Sequence, residues 1–110
     1  MHKYANMKKW KFGIGYDPLS LIFKALSCDQ RINIIRILKY GEQSVSEIAS
    51  FLSIHQSVVS RHLYILQSAG LIVSRKKGVE VYYKLSSPKT LELLKSAEEI
   101  IEIRKKLMRL

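Results

Sequence analysis

Short apolar-striped segments, then two β-rich runs around a basic turn, then one long amphipathic segment make up the 110 residues. That order predicts a mainly α fold with a small β-hairpin, a winged helix-turn-helix. Three observations carry the expectation. Two short helical patterns are separated only by Ser53-Ile54-His55, the length of a helix-turn-helix connection. A hairpin with a basic turn follows the second of them directly. The apolar belt of the last segment is wider than one small domain needs, which adds a dimer to the expectation.

Residues 1–16 interleave Lys3, Lys8, Lys9 and Lys11 with Tyr4, Trp10, Phe12 and Tyr16. Two readings stand for them: a basic arm that reaches a partner, or an unstructured start with an aromatic or two laid on the core. The domain itself is expected over 17–110. Asp17-Pro18 opens its first helix, since aspartate suits the cap and proline the first helical position. Leu19, Ile22, Phe23 and Leu26 follow at spacings of three and four as one apolar stripe. A second helix is expected from Asp29 to Tyr40, with Ile32, Ile35 and Leu38 inward and Gly41 as its stop.

Residues 44–53 hold a third, short helix with Ile48 and Leu52 four apart. The fourth runs over 56–69 and ends at Gly70. Its Val59, Leu63 and Leu66 share one face, while Ser57, Ser60, Arg61 and Tyr64 share the opposite one. Short donors with one arginine suit a DNA major groove, where side chains must reach base edges without bulk. A solvated amphipathic helix would show the same pattern. The neighbouring hairpin favours the groove: Leu71-Ile72-Val73 and Val79 to Leu85 flank Arg75-Lys76-Lys77-Gly78, which reads as a basic tip on phosphate or in the minor groove. Pro88 starts the last helix, 88–109. There Leu93, Ala97, Ile100 and Leu107 form a stripe, with Leu91, Leu94, Ile101 and Met108 beside it. Ile103, Leu107, Met108 and Leu110 lie beyond the reach of one compact domain, so a partner helix is expected to cover them.

The formal charge of +10 makes a polyanionic partner plausible, although RNA or a membrane surface would satisfy it equally. Cys28 is the only cysteine, so no intramolecular disulfide is possible, and no N-X-S/T acceptor occurs. No segment approaches the roughly 20 apolar residues of a membrane span. A cytoplasmic, non-membrane protein is the expectation. There is no Gly-rich phosphate loop, no metal-ligand cluster and no nucleophile beside a base, so no enzyme, cofactor or metal effector is expected. The rival functions are a winged helix used for protein contact and a general nucleic-acid-binding protein.

Residues 20–85 resemble the ArsR-type family of winged-helix repressors. The matching segments are Phe23-Lys24-Ala25-Leu26-Ser27 with Arg31, Ser44-Val45-Ser46-Glu47-Ile48-Ala49, and above all Gln56-Ser57-Val58-Val59-Ser60-Arg61-His62-Leu63. Leu66, Ala69-Gly70-Leu71-Ile72 and Val81-Tyr82-Tyr83-Lys84-Leu85 continue the likeness. The resemblance implies a sequence-specific double-stranded DNA-binding regulator, a repressor, working as a homodimer built on its first and last helices. Residues 56–69 would be the recognition helix, with Gln56, Ser57, Ser60 and Arg61 facing DNA, and 74–80 the wing. His62 also matches, as a packed, hydrogen-bonded residue or a phosphate contact. His55 stands where the family has a serine cap; histidine caps less well, so a phosphate contact is its expected role. The chain departs from the family at its metal sites. Ser44, Val45 and Ser46 replace a Cys-Val-Cys pair, and no histidine follows His62. Cys28, where the family often has aspartate, reads as a half-buried cap residue or as a thiol needing a partner from another chain.

Overall fold

The computed structural model describes residues 17–109, so the basic arm at 1–16 lies outside the described residues. Five helices and three strands follow in the order α1 (Pro18–Leu26), α2 (Asp29–Leu38), β1 (Gln43–Ser44), α3 (Val45–Leu52), α4 (Gln56–Ser68), β2 (Ile72–Lys77), β3 (Glu80–Leu85) and α5 (Lys89–Met108). This is the expected mainly α architecture with one hairpin.

Local chemistry sets the helix starts. The Asp17 carboxylate accepts the Leu19 N–H at 2.9 Å, with Pro18 in the first turn where its missing donor costs nothing. At α3 a capping box closes: the Ser44 hydroxyl accepts from the Glu47 N–H, and the Glu47 carboxylate accepts from the Ser44 N–H. Between α3 and α4 the chain reverses at Ser53, which takes a left-handed conformation with φ 55°. Ile54, the middle of the three linking residues, packs against the core.

α2 is the central element. Ile34, Ile35, Ile37 and Leu38 are all buried, a wider face than the expected Ile32, Ile35 and Leu38, of which Ile32 is only half-buried. The reason is that α2 packs against α1, α4, α5 and β3 at once. Ile48, Val59, Leu63, Leu66 and Ile72 complete the core, fully buried. The three strands form an antiparallel sheet in the order β1-β3-β2. At its base the Thr90 hydroxyl donates to the Leu71 carbonyl at 3.1 Å, and this buried bond ties the start of α5 to the start of the hairpin.

Two expectations are corrected, at the hairpin turn and at the start of α5. Of the α1 stripe, Ile22 and Leu26 pack against the core beside the buried Ala25, and Leu19 and Phe23 stay 57% and 54% exposed. A single helix against α2 and α4 buries only the side it lays down on them. The hairpin turn lies further along than expected. Lys77 pairs with Glu80, so Arg75, Lys76 and Lys77 belong to β2 and the turn is Gly78-Val79, with Gly78 at φ 64°. A two-residue hairpin with glycine first matches the twist of its strands. Pro88 is the cap of α5 rather than its first residue.

Leu63→Ala should destabilise the subunit by about 2–5 kcal/mol in urea unfolding, because its cavity opens between α2 and α4. Ser44→Ala should cost about 1 kcal/mol through the lost cap. A value for Leu63→Ala near that of the cap variant would mean that α4 is not anchored by this residue.

Candidate nucleic-acid interface

α4 presents two unlike faces. Val59, Leu63 and Leu66 are completely buried, which locks the rotation of the helix about its own axis. The opposite face carries Ser57, Ser60, Arg61 and Tyr64, all exposed, and Gln56 and His55 are exposed at the start of the helix. All six sequence-predicted residues of this helix and its cap are therefore open to solvent.

His55 does cap the helix, contrary to the expectation for a histidine. Its Nδ1 accepts the Ser57 N–H at 3.3 Å and lies 2.9 Å from the Ser57 hydroxyl. With Nδ1 accepting, the neutral ring carries its hydrogen on Nε2. The side chain thus substitutes for serine at the cap and still presents a donor to solvent.

His62 occupies the border between the two faces and is held from both sides. Its Nε2 is 2.7 Å from Gln30 Oε1, and an Arg31 guanidinium nitrogen is 3.3 Å from its Nδ1. Arginine only donates, so Nδ1 accepts and Nε2–H donates to Gln30. Arg31 also donates to the Ala25 carbonyl at 2.6 Å, which links the end of α1 and the start of α2 to the polar side of α4. Of its two expected roles, the packed, hydrogen-bonded histidine is the one observed. Burial first, then the charges of Arg31 and Arg61, hold its pKa below the ordinary 6.5. Cys28 caps α2 without a side-chain bond and is half-buried, as its cap reading expected.

The wing is fastened to this surface. Gln67, in the last turn of α4, donates to the Ser74 hydroxyl of β2 at 3.2 Å. Lys76 and Lys77 are exposed at the far end of β2, and Val79 stands 97% exposed at the turn. Arg75 is not a loose cation at the tip. Its guanidinium forms two 2.7 Å bonds to the Glu42 carboxylate, which precedes β1. The pair was not legible as a sequence feature, because the two residues lie 33 apart. One legible signal went unused: from Ile48 to Val79 the chain contains no Asp or Glu, while Arg61, Arg75, Lys76 and Lys77 fall within it. No group of three His, Cys, Asp or Glu side chains that could hold a metal gathers among the described residues. No helix there is long and apolar enough to cross a membrane.

The second exposed surface is apolar. Leu93 is half-buried, but every residue of α5 from Lys95 onward is exposed. Ala97, Ile100, Ile101, Leu107 and Met108 are all on that uncovered length, with Ile103 among them. Leu91 and Leu94, nearer the start of α5, pack on the core instead, and Arg36 reaches Glu98 at 3.4 Å.

Comparison with known proteins places these surfaces in context. The profile of the bacterial regulatory proteins of the arsR family matches residues 28–74. The chain is 39% identical to the transcriptional activator HlyU of Vibrio cholerae over 61% of its own length, and it covers 62% of HlyU, less than two thirds. It is 36% identical to the transcriptional repressor SdpR of Bacillus subtilis, over 60% of this chain and 73% of SdpR. A solved structure of a possible transcriptional regulatory protein from Mycobacterium bovis superposes with a TM-score of 0.75 at 27% identity, over 78% of this chain and 92% of that one.

The histidine generates a pH prediction. Because the His62 pKa is lowered in the folded state, the unfolded chain binds the proton more readily. Its contribution is intact above the ordinary imidazole pKa and is lost as the pH falls through that value towards the folded one. Urea unfolding at a series of pH values should show the wild type losing stability over this window relative to His62→Gln. A relative gain by the wild type on acidification would show that the site favours the charged ring.

Proposed function

From the premise that this chain belongs to the arsR family of bacterial regulatory proteins, we propose that it binds double-stranded DNA sequence-specifically as a homodimer and represses transcription by occupying its operator. The observation that carries this reading is the outward face of α4, polar and free of acidic residues, beside a wing that supplies cations. Burial of the opposite face fixes which side chains a major groove would meet.

In this reading Arg61 is the base reader, since its forked donors match the two acceptors of guanine. Gln56, Ser57, Ser60 and Tyr64 surround it with short or planar hydrogen-bonding groups. His55 offers its Nε2–H to a phosphate at the start of the helix, where the positive end of the helix dipole also favours an anion. Lys76 and Lys77 hold the adjacent backbone and set the register of the helix on the duplex. Binding alone performs the function, and no catalytic step or metal effector enters it.

The homodimer rests on exposed apolar surface at both ends of the fold. Leu19 and Phe23 on α1 and the Ile100, Ile101, Ile103, Leu107 and Met108 length of α5 are open to water in one subunit. Burying each large aliphatic side chain contributes about 1.5–3 kcal/mol, so a second copy covering them gains enough to associate tightly. Two recognition helices related by a two-fold axis then read two half-sites.

Two experiments test the reading. Arg61→Ala should relax discrimination at one base position by about 1–3 kcal/mol while changing affinity for unrelated duplex far less, as measured by competition binding against an operator selected from random sequence. Unchanged sequence preference would assign Arg61 to phosphate instead. Ile100→Glu with Leu107→Glu should yield a folded monomer by light scattering that has lost tight operator binding. A monomeric wild type at micromolar concentration would sink the paired half-site mechanism.

A further inference from the structure

We propose that Glu42 is a positioning residue: it withdraws Arg75 from the nucleic acid and leaves the wing's backbone contacts to its lysines, Lys76 foremost. This inference rests on the DNA-binding reading above.

The register of the sheet separates the wing cations. Arg75 pairs with Tyr82 and Lys77 with Glu80, whereas Lys76 pairs with Val81. Side chains alternate along a strand, so Arg75 and Lys77 share one face and Lys76 lies on the other. The face of Lys76 is the one that looks towards the core and α4: Ile72 on it is buried, Tyr83 and Leu85 pack against the core, and Ser74 is bonded to Gln67 of α4. The face of Arg75 carries the carboxylates. Glu42 grips Arg75 through both oxygens at 2.7 Å. Glu80 stands directly across from Lys77 and accepts the Tyr82 hydroxyl at 3.1 Å.

A forked guanidinium–carboxylate pair belongs to the strongest class of charge-assisted hydrogen bond. To reach a phosphate, Arg75 would exchange one anion for another. It would also leave the Glu42 carboxylate unpaired near the polyanion, where like charge repels. The exchange offers no gain, so Arg75 does not add to the phosphates neutralised. Its role is to tie β2 to the chain just ahead of β1 and α3, across the intervening β3. That strap sets the angle of the wing against the helix-turn-helix. Lys76, on the same face as the bond to α4 and opposite an uncharged valine, has no carboxylate across from it and is available to the backbone that α4 approaches.

The test is the salt dependence of binding to a short labelled duplex of unrelated sequence, which needs no knowledge of the operator. Each phosphate contact contributes about 0.9 to the slope of log K against log salt concentration. Lys76→Gln should reduce the slope by about 0.9, and Arg75→Gln should leave it at the wild-type value. Glu42→Gln should free the guanidinium and steepen the slope by up to about 0.9. Adding Arg75→Gln to Glu42→Gln should restore the wild-type slope. An Arg75→Gln slope reduced as far as that of Lys76→Gln overturns the inference while leaving the DNA-binding reading intact. A wild type with no salt-dependent duplex binding removes that reading and this inference together. The pair itself is checked separately by NMR titration of the Glu42 carboxylate, which Arg75 holds below its ordinary value. Its midpoint should rise in Arg75→Gln, and an unmoved midpoint also overturns the proposal.

Discussion

Everything on the outer surface of this protein depends on three side chains that face away from it. Val59, Leu63 and Leu66 are completely buried at spacings of four and three along α4, and they meet Ile34, Ile35 and Ile48 within one core cluster. A helix anchored at three such points cannot roll. Its polar residues are therefore presented in one direction although none of them is held by packing of its own. Rigidity of the surface is inherited from the core beneath it.

The polar bonds around this core act as ties between elements rather than as sources of bulk stability. Arg31 joins the end of α1 to His62, and His62 joins α4 to Gln30 at the start of α2. The Thr90 hydroxyl joins α5 to the base of the hairpin, and Gln67 joins α4 to Ser74. Through Gln30 and Arg31, α2 is the junction between α1 and α4, while α4 and α5 are each bonded to the hairpin. The exposed polar surface of α4 and the exposed apolar lengths of α1 and α5 are consequently held in one bonded frame.

Charge is distributed with similar economy. The chain is strongly basic, yet two carboxylates, Glu80 of β3 and Glu42 just ahead of β1, sit on the sheet face that carries Arg75. Their effect is to offset Arg75 and Lys77 on that face, while Lys76 on the other has no carboxylate across from it. An excess of +10 spread evenly would attract any polyanion in any orientation. Placing carboxylates on one face favours a single docking geometry at some cost in raw attraction.

Much of this was legible before any coordinates. The period of three and four in 56–69 assigned Val59, Leu63 and Leu66 to the core and Ser57, Ser60, Arg61 and Tyr64 to the surface, because a helix has one rotation and the residues declare it. Asp17-Pro18 and the glycines marked element ends, since few residues satisfy those backbone conditions. The apolar surplus of the last segment was visible for the same reason, and the structure leaves it uncovered. What the sequence could not disclose were relations between residues far apart along the chain. The turn at Gly78-Val79 follows from pairing Lys77 with Glu80, and the wide burial of α2 follows from the four elements that converge on it. The half-open stripe of α1 has the same origin. The grip of Glu42 on Arg75 arises only when β3 lies between β1 and β2. Local propensity determines which face a helix turns inward; which charges find each other is decided by the fold that brings distant strands together.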